Sequence, residues 1–398
     1  MRFLRTASTG RLLAALAAAV VVIAAGAAIA VAATGGGPVP PRRPLAQAVH
    51  RALKAPPVQG ITANISFTNN LIDSSDFTGQ SADPVLQGAT GRLWLSNDGR
   101  MRLELQSDNG DAQVVVDHDS FWVSDPTQNV VYEGTLPGRG AGAKNDHSGD
   151  HGVPTVARIQ SLLGKLMGRF DVSGAIPTNV GGQSAYRVSI SPKHDGGLLG
   201  SAQIAWDAVR GVPLQFGIYA RGSSTPVLDL KATHIGYGAV PASDLNVSPP
   251  AGAKVVKVAQ GPAHAHGATR SHRGAIRGTG PVAAHVPFTL VAPHSLVGLP
   301  LRETRLLTMG GSSAAMVAYG RNLGGVVVIE SRHSGGRDTG SGAGPDGLSL
   351  PTVSIDGATG TELSTALGTI IHFTRNGVDF TVLGSVPASA AEMAARGL

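Results

Sequence analysis

The most regular hydrophobic pattern in the chain lies between Gly91 and Gly134. From Arg100 to Leu105 the positions alternate strictly, with Met101, Leu103 and Leu105 on one side and Arg100, Arg102 and Glu104 on the other. Period-2 alternation predicts a strand with one buried and one wet face. Leu93–Leu95, Val114–Val116, Phe121–Val123 and Val130–Tyr132 predict four more strands. Between them lie turn sequences: Asn97-Asp98-Gly99, Asp108-Asn109-Gly110, Asp117-His118-Asp119-Ser120 and Pro126-Thr127-Gln128-Asn129. Five short strands joined by tight turns make one curved antiparallel sheet. Its apolar face must be covered by the chain's own helices or by an apolar guest.

The pattern on either side extends this sheet. A helix is expected from Pro44, with Leu45, Ala48, Val49, Ala52 and Leu53 on one face and Pro56-Pro57 ending it. Ile61–Ile72 reads as a first strand. Pro154 opens a second amphipathic helix whose apolar stripe is Val156, Ile159, Leu162, Leu163, Leu166 and Phe170. It is the natural plug for the apolar sheet face. Strands follow at Tyr186–Ile190, Ala202–Trp206, Pro213–Ala220 and Val227–Ile235. Residues 259–285 are rich in Gly, Ala, His and Arg, nearly free of large apolar side chains, and read as a disordered linker. Beyond it, a smaller α+β unit is expected over 286–398. Its strands fall at Pro287–Val291, Ala314–Tyr319, Gly324–Glu330 and Thr352–Ile355. A hairpin turns about Asn376-Gly377, and a last helix covers Ala388–Arg396.

The order helix, strands, helix, strands over Pro44–Val255 resembles the LolA/LppX-like family of envelope lipoprotein carriers. The residues that carry the resemblance are the meander with Phe121-Trp122-Val123 and the strand Ala202–Asp207 followed by Gly211-Val212-Pro213-Leu214. The closing Pro250-Ala251-Gly252-Ala253-Lys254-Val255 completes it. The tail Asn376–Ala388 is similar to the end of the RseB/MucB family, which joins a LolA-like domain to a small C-terminal one and regulates an anti-sigma factor. The expected fold is therefore α+β: a LolA-like curved antiparallel half-barrel (44–258) plugged by helices, plus the small C-terminal unit.

Leu12–Ala33 is an uncharged apolar run of 22 residues behind Arg2, Arg5 and Arg11. It is long enough for a bilayer-spanning helix, and its flank fits a cytoplasmic N-terminus. Residues 1–34 thus read as an anchor or a cleavable signal, with small residues near Ala30-Val31-Ala32, and 35–43 as a spacer. The length of the run favours the anchor, giving a single-pass membrane protein with its bulk outside the cytoplasm. Cleavage would give a secreted or periplasmic one.

Composition narrows the chemistry. Of the net charge of +6, those three arginines supply half, and no basic stripe with interleaved aromatics appears, so nucleic acid is not an expected partner. The absence of cysteine excludes disulfides, thiolate sites and a cysteine nucleophile. No G-x-S-x-G, H-E-x-x-H, P-loop or G-x-G-x-x-G motif stands in a suitable context. Asp146, His147, Asp150 and His151 have ligand chemistry but sit among residues that fix no geometry, as do His264, His266, His272 and His285. Asp117, Asp119 and Asp125 occupy turn positions, where carboxylates cap the backbone. No catalytic residue, metal or cofactor is expected. The candidate site is apolar instead. Leu93, Leu95, Met101, Leu103, Leu105, Phe121 and Val123 on the sheet face Ile159, Leu163, Leu166 and Phe170 on the plug helix. The family resemblance implies that such a half-barrel holds the acyl chain of a lipid or lipoprotein. The alternative it implies is an RseB/MucB-like sensor acting through contact with an anti-sigma factor.

Overall fold

A computed structural model describes residues 39–71, 88–106, 111–125, 129–136, 154–258, 276–309, 312–333 and 350–398. Among these, thirteen strands form one large sheet and eight form a second.

The large sheet opens with helix α1 (Leu45–Lys54), then β1 (Gly60–Asn69), β2 (Ala89–Ser96), β3 (Met101–Gln106), β4 (Ala112–Asp117), β5 (Ser120–Asp125) and β6 (Val130–Thr135). Helix α2 (Val156–Met167) precedes β7 (Phe170–Val172), β8 (Ile176–Val180), β9 (Gln183–Pro192), β10 (Leu199–Asp207), β11 (Pro213–Ala220) and β12 (Pro226–Tyr237). A one-turn helix, α3 (Ala242–Leu245), leads to β13 (Lys254–Lys257). The strand order is β13-β6-β5-β4-β3-β2-β1-β12-β11-β10-β9-β7, with β8 also on β9. The five-strand meander read from the sequence is β2–β6, in consecutive antiparallel register.

The sheet is curled. In a flat sheet β9 would lie roughly 14 Å from β12, three strand spacings away. Instead the Gln183 side chain at the start of β9 donates to the Ile235 carbonyl of β12, at 3.5 Å. The curl gathers one apolar cluster from β1, β3, β4 and β5 through β12 to β9 and β10, including Ile61, Met101, Leu103, Leu105, Val123 and Ile235. A second cluster seats α1, through Ala48, on Tyr186, Val188 and Trp206.

The second sheet is built from β14 (Ser295–Leu296), β15 (Leu299–Met309), β16 (Ser312–Tyr319), β17 (Val326–Arg332), β18 (Thr352–Ile355), β19 (Ala358–Thr365), β20 (Gly368–Arg375) and β21 (Val378–Gly384). It is entirely antiparallel. Helix α4 (Thr279–Ala283) precedes it, within the stretch assigned above to the linker, and α5 (Ala388–Arg396) packs Ala391, Ala394 and Ala395 on its core. The two sheets meet at the β9–β10 turn. There the Leu198 amide is 3.0 Å from both the carbonyl and the hydroxyl of Ser385, and the Gly324 amide donates to Asp195. Gly197 permits this approach: it has φ +60, and a Cβ there would stand 2.4 Å from the Ser385 carbonyl oxygen.

Several expectations need correction. The single-pass membrane reading is overturned: among the described residues no helix is long and apolar enough to cross a membrane. The run Leu12–Ala33 that suggested one lies outside the described residues, as do the His147/His151 cluster, His264, His266 and His272, and the linker up to residue 275. Pro287–Val291 is not a strand. Its apolar residues pack on the second core without a ladder partner, and the Val291 amide is held instead by the Glu330 carboxylate at 2.9 Å. Phe170 does not extend the α2 stripe, because the helix ends at Met167 and Phe170 begins β7.

Candidate functional site

The sheet half of the expected site comes together as one cluster. Met101, Leu103, Leu105 and Val123 are 0–2% exposed, and Leu93, Leu95 and Phe121 pack half-buried against them. The helix half is placed elsewhere. Ile159 is the buried residue of α2, Leu163 and Leu166 are half-buried, and Leu162 is 52% exposed. None of Ile159, Leu163, Leu166 or Phe170 belongs to the cluster around Met101. Helix α2 instead packs on α1 and β7. A pair of hydrogen bonds fixes this corner: Thr155 caps α2 through the Arg158 amide, and the His50 ring of α1 meets the Pro154 carbonyl at 2.8 Å. The apolar face of β3–β5 is thus a buried cluster to which α2 contributes no residue.

The open space lies on the opposite face of the same strands. Val115, Asp117, Trp122 and Glu133 alternate with the core residues Val114, Val116, Val123 and Tyr132, so pleating aims them outward. A segment returning from β12 crosses this outer face. Its near end is pinned to β3, where Arg102 donates to the Asp244 carbonyl at 3.1 Å and Arg100 to the Asn246 side chain at 3.2 Å. Arg102 is itself held by Glu104 and lies over the Trp94 ring, 4.9 Å from its centroid. At its far end the segment becomes β13, paired in parallel with β6. Between this strap and the sheet is a cleft of about 930 Å³. Val115 and Trp122 form its floor, with Phe121 at its margin, Leu245 and Val247 its roof, and Asp117, Glu133 and Lys257 its charged wall. Of the residues expected to bind, Phe121 alone touches it. Trp94 and Trp206 are 8% and 7% exposed, whereas Trp122 is half-buried in the cleft.

Two buried polar sites lie apart from the cleft. In the β10–β11 loop, Asp207 accepts the amides of Val209 and Arg210 at 2.8 Å each, the Tyr237 hydroxyl at 2.8 Å and the Arg210 guanidinium at 3.2 Å. Burial, and then the Asp207 charge, push the Tyr237 hydroxyl far above its ordinary range. Arg210 also lies over the Tyr237 ring at 4.1 Å. Arg210 donates further to the Gln183 side chain at 3.4 Å, and the group holds a turn. In the second sheet, burial pushes Glu330 up to about 7. Burial, with Glu330 nearby, likewise raises the Tyr319 hydroxyl to about 12. Among the described residues no group of three or more His, Asp or Glu side chains is arranged to hold a metal ion.

Fold and site together define a β-rich α+β protein: a curled antiparallel half-barrel with a strapped outer cleft, joined to a smaller antiparallel sheet. No protein-family model matches the chain, and no curated protein does. Solved structures that match include the MucA/MucB complex of Pseudomonas aeruginosa, at 17% identity and a TM-score of 0.39, covering 88% of this chain and 94% of that one. A LolA superfamily protein of Nitrosomonas europaea matches at 9% identity and a TM-score of 0.21, over 52% of this chain and 98% of that one. A putative outer membrane lipoprotein-sorting protein domain of Vibrio parahaemolyticus matches at 12% and 0.19, over 51% and 96%. These belong to the families that the sequence motifs resemble. None has an identity or score from which a function follows.

Proposed function

We propose that this chain is a non-catalytic binding protein that takes an extended segment of another polypeptide into the cleft over Val115 and Trp122. The observation that supports this most is the contrast between the two faces of β3–β5: buried apolar side chains on one, an open cleft on the other. The lining also favours a polypeptide over an acyl chain. Asp117, Ser120, Glu133, Asn246 and Lys257 share the cleft with the apolar residues. An acyl chain would desolvate these groups without returning a hydrogen bond, whereas a peptide backbone supplies donors and acceptors. The MucB-like motifs make an anti-sigma factor the class of partner to try first.

The second reading places an acyl chain inside the half-barrel. The continuous apolar cluster from Ile61 through Met101 and Val123 to Ile235 favours it. It requires side chains that are almost wholly buried to part.

Peptides selected by phage display on the full chain, and a dansyl-labelled fatty acid, separate the two. The first reading expects selected peptides to lose at least ten-fold in affinity on Trp122→Ala, and the fatty acid to bind no more tightly than to serum-free buffer controls. Selected peptides indifferent to Trp122, or stoichiometric fatty-acid binding that Trp122→Ala leaves unchanged, would reject it.

A further inference from the structure

We infer that β13 is a gate on the cleft, a strand that leaves β6 in the native protein while the rest of the strap stays anchored. The inference rests on the cleft being the binding site and adds how it is entered.

The two ends of the strap are held very differently. The near end is fixed by Leu245, 4% exposed, and by the two arginine contacts to Asp244 and Asn246. The far end is four residues long. Lys254, Val255 and Lys257 are exposed, Val255 by 50%, and only Val256 is half-buried. Its pairing with β6 is parallel, whereas the other pairings among the large sheet's described strands are antiparallel. Parallel ladders are slightly weaker per residue. Ordering a strand costs backbone entropy at every residue, and little apolar burial offsets that cost here. What remains is a few main-chain hydrogen bonds, among them Lys254 to Asn129 and Val258 to Glu133, and one exposed bond from the Asn129 side chain to the Gly252 carbonyl at 3.4 Å.

Between the two ends runs Val247-Ser248-Pro249-Pro250-Ala251-Gly252-Ala253. The two prolines have no N–H to offer a neighbouring strand, so this stretch cannot zip onto the sheet and carry the near-end anchorage across to β13. Gly252, at φ +80, supplies the turn into the strand. β13 therefore opens on its own. When it does, the wall made by Lys257 and Val258 leaves Glu133 and Trp122, and the cleft opens along its side.

The chain has no cysteine, so one engineered pair can lock the gate cleanly. Glu133 and Lys257 are register partners, and both line the cleft. In the full chain carrying Glu133→Cys and Lys257→Cys, oxidation is expected to slow association of the display-selected peptides at least ten-fold, and dithiothreitol to restore it. In the unmodified chain, the Lys254 and Val258 amides are expected to exchange at least ten-fold faster than the amides shared by β5 and β6. Equal association rates in the oxidised and reduced forms, or β13 amides as protected as those of β5, would overturn the gate. Such a result with Trp122-dependent binding intact leaves the cleft standing. Fast β13 exchange with binding indifferent to Trp122 removes the cleft as the site instead.

Discussion

Asp207→Ala is expected to lower the unfolding free energy by about 3–5 kcal/mol, the cost of stripping the partner from a buried ion. Asp207 is 1% exposed and Arg210 5%. The two carboxylate oxygens together satisfy two loop amides, the Tyr237 hydroxyl and the Arg210 guanidinium. Truncation leaves a buried positive charge and three donors without acceptors. The loop also carries Gly211, whose φ of +72 brings it so close to α1 that a Cβ would stand 2.4 Å from the Ala52 carbonyl oxygen. Losing the loop therefore loosens α1 as well. Urea unfolding at pH 7 measures the change. Arg210→Met added to Asp207→Ala should recover part of the loss, because it removes the stranded charge. A loss below about 1 kcal/mol would mean that water reaches the loop and replaces the carboxylate.

Glu330→Gln is expected to remove a pH dependence that the second sheet imposes on stability. Glu330 is 0% exposed, and burial raises its carboxyl from an ordinary value of 4.5 to about 7. A folded pKa above the unfolded one means that the folded state holds the proton more tightly. The stabilisation is full below about pH 4.5 and is lost as pH rises through about 7. The gap between the two values corresponds to about 3 kcal/mol. Glutamine keeps a carbonyl oxygen for the Val291 amide without ever ionising. The variant and the parent should be equally stable at pH 4, with the variant more stable by up to about 3 kcal/mol at pH 8. Denaturant midpoints at the two pH values decide it. Parallel profiles would place the titration elsewhere.

The meander was legible because strict alternation from Arg100 to Leu105 leaves one reading, and turn residues mark its ends. The last helix, read over Ala388–Arg396, is α5 with those bounds. The errors share a cause: apolar sequence reports burial but not what does the burying. Pro287–Val291 is apolar and packed, yet a buried glutamate in β17 holds it and no strand pairs with it. Strand β15 was missed because Leu299-Pro300-Leu301 and the adjacent Leu306-Leu307 break the alternation. The stripe of α2 was correctly spaced, but spacing names no partner, and the helix sits on α1 and β7. The cleft was beyond reach. Its floor and roof are more than a hundred residues apart, and its polar residues carry no motif. The one local sign was Trp122, a large aromatic on the outward side of an otherwise ordinary strand.

Trp122 also supplies the most direct test. The chain has three tryptophans, so 5-fluorotryptophan labelling gives three fluorine resonances. Trp94 reports the Arg102 stack, Trp206 the α1 cluster and Trp122 the cleft. On saturation with a display-selected peptide, the Trp122 resonance should shift while those of Trp94 and Trp206 stay in place. A bound peptide that leaves the Trp122 resonance unmoved would contradict the account.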